Sequence, residues 1–196
     1  MPEQPYNPLD KRNLAESVAN ALLGRPVHPL PPSEPFAGAG IYAIYYVGDF
    51  PSYQRIAELN REGRFQAPIY IGKAVPAGAR RGGYGLGQAP GRVLYNRVRE
   101  HTRSIDQVEN LNLADFHCRY LVTDDIWIPL AEALLIEKFR PIWNHPIDGF
   151  GAGRQRREKS SWDTVHPGRP FAQGLPPNKR NLREILTMLN QPPRAD

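Results

Sequence analysis

Apolar residues recur along this chain with two different periods, and the switches between them mark out its elements. In NPLDKRNLAESVANALLG (7–24), Leu14, Val18 and Leu22 fall four apart, which places them on one stripe of a helix. Asn7 can cap that helix, Pro8 suits its first turn, Asp10 complements the dipole and Gly24 ends it. GIYAIYYV (40–47) is instead a continuous β-rich run bounded by glycine, so it reads as a strand. Helical spacing returns in SYQRIAELNREG (52–63) through Ile56 and Leu59, and APIYIGKAV (67–75) is a second strand. RVLYNRVREHTRSI (92–105) is a helix with Leu94, Val98 and His101 on one side, and DFHCRYLVT (115–123) is a third strand. IPLAEALLIEKFRP (128–141) is a helix opened by Pro129 and closed by Pro141. NLREILTMLN (181–190) is a last helix, packing through Leu182, Ile185, Leu186 and Leu189. Between these lie a proline-rich connector (25–35), a glycine-rich loop (76–91) and a basic, glycine-rich stretch running to about residue 180. The order predicts one α/β (α+β) domain over 1–196, with a small, mainly antiparallel sheet flanked by helices.

Composition narrows the setting. A hydrophobic fraction of 40% with mean hydropathy −0.54 fits a soluble protein, and no apolar run approaches a bilayer span. The polar N-terminus has no apolar signal core and Cys118 is the only cysteine, so an intracellular, cytoplasmic home without disulfides or a cysteine zinc site is expected. The net charge of +5 is modest. Its distribution is not: GKAVPAGARRGG (72–83) and GRQRREK (153–159) concentrate cations in glycine-rich segments, where a polyphosphate would be attracted. Arg80, Arg81, Arg154, Arg156 and Arg157 are the arginines these segments offer to such a ligand. GGYGLGQAPG does not fit a dinucleotide fingerprint, because Pro90 stands where a third glycine belongs; no nucleotide cofactor is expected.

The chemistry-bearing residues form an ordered set. Gly40-Ile41-Tyr42 and Tyr70-Ile71-Gly72 are strand tripeptides pairing a tyrosine with a glycine. Arg97 and His101 follow at i and i+4 on one helix face. Glu132, an isolated charge among Leu130, Ala131, Ala133 and Leu134, and Asn144 complete the set. A phenol, an arginine, an imidazole, a single carboxylate and an amide suit metal-assisted phosphodiester hydrolysis, with the carboxylate holding one hard divalent ion that keeps most of its waters. Tyr45 and Tyr46 are assigned to packing, as no slot in the set claims them. His117, His145 and His166 are assigned to structure or surface.

These residues resemble the GIY-YIG nuclease superfamily over roughly 38–145, and EALLIEKFRPIWN (132–144) is similar to its glutamate helix and terminal asparagine. Two insertions depart from the common pattern: a helix between Tyr42 and Tyr70, and the loop KAVPAGARRGGYGLGQAPG before Arg97. They look like those of the small type II restriction endonucleases that cut CCGCGG. The resemblance implies a GIY-YIG core at 38–145, an N-terminal helix and connector at 1–37, and a basic DNA-binding extension at 146–196. It implies that Tyr42, helped by His101, accepts a proton from water, that Tyr70 orients water or phosphate, and that Arg97 binds the scissile phosphate. Glu132 would ligate one Mg²⁺ per active site, Asn144 would position backbone or the metal-bound network, and Lys73 would contact phosphate or depress a tyrosine pKa. It also implies a bacterial enzyme acting on double-stranded DNA as a homodimer, away from membranes. A structure-specific repair or homing nuclease, or a catalytically silent DNA-binding module, are the alternatives.

Overall fold

Strand β2 (Gly40–Tyr46) is the axis of the fold, and all seven of its residues are buried. The computed structural model describes residues 7, 9–76, 91–151 and 156–190. Within them β2 pairs antiparallel with β3 (Tyr70–Ala74) on one side and β4 (Phe116–Val122) on the other. A two-residue strand β1 (His28–Pro29) adds to the outer edge of β4, giving the order β1-β4-β2-β3. Both faces of β2 are covered, which is why its sequence runs on as apolar residues instead of alternating. Tyr42, Ile44 and Tyr46 point to the face packed by Leu94, Val98 and Ile105 of helix α3 (Val93–Asp106). Ile41, Ala43 and Tyr45 meet Ala19 and Leu22 of α1 (Lys11–Leu23) and Ile128, Ala131 and Leu135 of α4 (Ile128–Phe139). The expected α+β architecture, an antiparallel sheet flanked by helices, is the one observed.

Several boundaries move for local reasons. Helix α1 starts at Lys11, and Asp10 is the cap: its carboxylate accepts from the Arg12 N–H at 2.8 Å. Asn7 instead closes the preceding turn, accepting from Leu9 N–H. The inserted helix is a 3₁₀ turn, Pro51–Tyr53, followed by α2 (Gln54–Asn60). Its inward side is Ala57 and Asn60, while Leu59 is 42% exposed. Asn60 is drawn in because its amide ties the carbonyls of Tyr46 (3.0 Å) and Ala67 (2.8 Å), fixing both ends of the insertion. The proline-rich connector supplies β1, which periodicity could not reveal in two residues.

The largest correction concerns the basic stretch before residue 180. It contains α5 (Ser161–Val165) and α6 (Pro170–Gln173), and Trp162, Val165 and Ala172 are core residues. Ser160 opens α5 with a reciprocal capping box to Asp163. A Tyr53–His166 hydrogen bond of 2.5 Å, with Trp143 donating to Tyr53 and Asn110 bonded to His166, sews this segment to the inserted turn. Helix α7 (Leu182–Asn190) buries Ile185 and packs with Leu186, Met188 and Leu189, while the predicted Leu182 remains 46% exposed.

Candidate active site

Gly72 is directly opposite Tyr42 in the β2–β3 ladder. A Cβ there would run into the Tyr42 hydroxyl and, at 2.6 Å, its Cζ. Glycine is therefore what lets the phenol lie flat across β3. Gly40 has the same logic on the other side: a Cβ would collide with the Leu121 carbonyl of β4. The two glycines of the strand tripeptides are spacers for a tyrosine and a neighbouring strand.

The Tyr42 hydroxyl is completely buried and hydrogen-bonds His101 Nε2 of α3 at 2.5 Å. Tyr70 approaches both, with its ring centroid 6.1 Å from that of Tyr42 and 5.1 Å from that of His101. Arg97, one turn before His101, donates through Nη1 to Glu100 at 2.7 Å and through Nη2 to the Gly151 carbonyl at 2.8 Å. The same guanidinium reaches the hydroxyls of Tyr42 and Tyr70, and its side chain stays 34% exposed, so an anion can still approach it. On the opposite sheet face, Glu132 of α4 and Lys73 of β3 form an ion pair of 2.7 Å, with the carboxylate side chain 20% exposed. Glu132 is near enough to raise the Tyr70 pKa, so the two faces meet around the free edge of β3.

Electrostatics set the resting state of this cluster. Burial pushes the Tyr42 phenol well above its usual value near 10, Tyr70 adds to the rise, and the Arg97 charge opposes it without prevailing. Burial, then the charges of Arg97 and Arg169, hold His101 well below its ordinary value. Tyrosine and histidine are both neutral at pH 7, joined by one short hydrogen bond. Tyr70 is raised chiefly by burial, against Arg97.

Asn144 has a specific place. Its Oδ1 accepts from Ile71 N–H and its Nδ2 donates to Ile71 C=O, both at 2.8 Å. Trp143 N–H also bonds the Ile69 carbonyl at 3.0 Å. Residues 143 and 144 act as a fragment of strand on the outer edge of β3, so the asparagine holds the YIG backbone. Lys73 touches the carboxylate and is no major influence on either tyrosine. Among the basic candidates, Arg156 bonds Asp148 at 2.9 Å and Arg157 is exposed, while Arg80, Arg81 and Arg154 lie outside the described residues.

No cluster of three or more acidic, histidine or cysteine groups that could hold a metal occurs among the described residues. The donor set around Glu132 still fits a hard ion of the kind that needs one carboxylate and completes its shell with water and phosphate oxygens. The Lys73 ammonium already places a positive charge against that carboxylate.

A family model described as the Eco29kI GIY-YIG domain matches residues 34–192. The chain belongs to that family. It is accordingly a nuclease domain of the restriction type, and a DNA-binding protein. No curated protein matches the chain. The family match extends past Asn144 through α5, α6 and α7, so the C-terminal segment is part of what defines an Eco29kI-type GIY-YIG domain. No helix among the described residues is long and apolar enough to cross a membrane.

Sequence reasoning missed two contributors to this site. The Phe150 ring stacks on His101 at 4.5 Å and 22°, and meets Tyr70 edge-on at 5.0 Å. The Gly151 carbonyl holds Arg97. Both belong to DGFGAG, where an aromatic residue between glycines was the available signal, read instead as part of a basic tail.

Proposed function

We propose that this chain is a Mg²⁺-dependent type II restriction endonuclease that cuts double-stranded DNA at CCGCGG and acts as a homodimer, one active site per strand. The observation that carries the reading is the buried Tyr42–His101 pair beside Arg97 and Tyr70, with Glu132 at the same strand edge. The CCGCGG target rests on the resemblance of the two insertions to those of the enzymes that cut it.

Tyr42 donates its hydroxyl proton to His101 Nε2 as its oxygen takes a proton from the attacking water, so the pair accepts one proton without either residue being ionised beforehand. Arg97, fixed by Glu100 and Gly151, offers its part-exposed guanidinium to the scissile phosphate and to the charge that grows on it. Tyr70 orients water or phosphate next to the pair. Lys73 is a second cation for phosphate once Glu132 is otherwise engaged. Glu132 would hold the Mg²⁺, which when bound supplies Lewis-acid stabilisation of phosphoryl oxygens. Arg156 and Arg157, with Arg80, Arg81 and Arg154, supply cations for the DNA backbone or guanine edges.

Digestion of a plasmid carrying one CCGCGG site, with and without Mg²⁺, followed by end mapping, tests this. Discrete double-strand ends at that sequence, dependent on the metal, are expected. Nicking restricted to branched or damaged DNA, or retention of DNA without cutting, would overturn it.

A further inference from the structure

The corner Asp148–Gly151 is tied down at every residue. Asp148 accepts from Ser161 N–H at 3.0 Å and pairs with Arg156. The carbonyls of Gly149 and Phe150 accept from Arg169 Nη2 and Nη1 at 3.1 and 3.2 Å. The Gly151 carbonyl accepts from Arg97. Arg169 is itself 1% exposed: its Nε donates to Asp163 at 2.6 Å, and its guanidinium lies over Trp162 at 4.4 Å and Phe171 at 4.8 Å. Gly149 adopts φ +99°, and a Cβ there would strike Ser160. A Cβ on Gly151 would strike the Tyr70 hydroxyl and come within 3.4 Å of Arg97 Nη2.

A buried arginine that spends its guanidinium on backbone carbonyls and one aspartate serves to fix a loop shape. Here that shape has two products. It aims the Gly151 carbonyl at Arg97, a long, rotamer-rich side chain that this contact restricts. It also lays the Phe150 ring against His101, which keeps water off the imidazole and its Nε2 directed at Tyr42.

We propose that the Asp148–Gly151 corner, braced by Arg169, is a positioning element that sets Arg97 and His101 for phosphodiester hydrolysis. The C-terminal segment then completes the active site as well as extending the DNA-binding surface. This inference rests on the nuclease reading above. Gly151, Phe150 and Arg169 are positioning residues, acting through Arg97, His101 and Tyr70 without touching the phosphate.

The test uses Gly151→Ala and Phe150→Leu in the full chain, each checked by thermal melting. On a CCGCGG duplex with Mg²⁺, Gly151→Ala should slow single-turnover cleavage on the order of 100-fold, the cost of an ångström-scale misplacement. Its affinity for the same duplex without metal should change less than about threefold, since no DNA-contacting group is removed. In a Tyr70→Phe, Arg97→Lys background, which lacks both groups the new methyl disturbs, adding Gly151→Ala should cost less than about threefold. Phe150→Leu should also reduce the rate with binding retained. Independently of cleavage, the Arg97 side-chain NMR resonance should be sharp and slowly exchanging in the wild type and lose that protection in Gly151→Ala. Full additivity in the combined variant, wild-type cleavage by Gly151→Ala, or an unchanged Arg97 resonance would each overturn the proposal. A wild-type protein that cuts no duplex while the Arg97 resonance still responds would defeat the nuclease reading and leave the positioning geometry supported.

Discussion

At the scale of single residues, three adjacent tyrosines were given three different tasks. Tyr45 accepts from Arg119 Nη1 at 3.2 Å and lies under its guanidinium, and Tyr46 accepts from the Phe50 N–H at 2.8 Å. Both therefore anchor structure through their hydroxyls as well as their rings, more than the packing role read from sequence. Tyr42 alone meets an imidazole. Because burial raises Tyr42 and lowers His101, neither titrates near neutrality in the free protein. The single-turnover cleavage rate should therefore stay flat with pH from about 6.5 to 9, because the neutral pair is the competent form throughout that range. A rate climbing about tenfold per pH unit would mean that the ionised phenol is the base, and a fall setting in just below about pH 7 that a histidine of ordinary pKa is. Lys73→Met removes the ammonium from Glu132. It should weaken phosphate binding and slow cleavage about 10-fold or more, in keeping with loss of one charge-assisted contact. A rate unchanged by Lys73→Met would limit that lysine to holding the carboxylate.

At the scale of elements, the site depends on an edge strand that is covered on its free side. Asn144→Ala removes both bonds to Ile71, leaving a backbone donor and acceptor without side-chain partners. The expected cost is about 1–3 kcal/mol in chemical denaturation, with faster amide exchange at Ile71; full stability and unchanged exchange would refute the clamp. Asp163→Asn leaves the Arg169 guanidinium, 1% exposed, without its carboxylate. That should cost about 3–5 kcal/mol, and its absence would mean that the carbonyl and aromatic contacts suffice. These elements also mark how much was legible beforehand. The strands, the long helices and the six-residue constellation were readable, because periodicity, the paired glycines and the i, i+4 placement of Arg97 and His101 are local signals. The corner at Asp148–Gly151 was not, since its shape comes from Arg169 and Ser161, residues farther along the chain. Helix α5 was missed because five residues, less than one and a half turns, have too few positions for a period to appear. Leu182 was placed inside by spacing alone, yet a helix facing solvent on part of its stripe has the same spacing.

At the scale of the molecule, the sheet separates two clusters that meet at one edge, proposed here as the two halves of the site: the tyrosine–histidine pair on the α3 face, and Glu132 with Lys73 on the α4 face. The C-terminal segment closes the first half-site and is itself stitched down by His166, which is fully buried and whose pKa burial lowers from 6.5 to about 3. A histidine depressed in the folded state binds fewer protons there than in the unfolded chain, so its contribution is complete above pH 6.5 and lost as pH falls toward 3. From His166 alone the loss at pH 5 is about 2 kcal/mol, and His101 shifts in the same direction. Melting temperature should therefore fall steadily from pH 6.5 to 4.5, and a flat profile across that range would contradict neutral burial of the two rings. The central claim, that a buried tyrosine backed by histidine accepts the proton of the attacking water, is tested most directly by the single-turnover cleavage rate of Tyr42→Phe on a CCGCGG duplex with saturating Mg²⁺. The account predicts a fall of roughly 10²–10⁴-fold, with duplex affinity preserved and the protein folded; cleavage within a few-fold of wild type would contradict it.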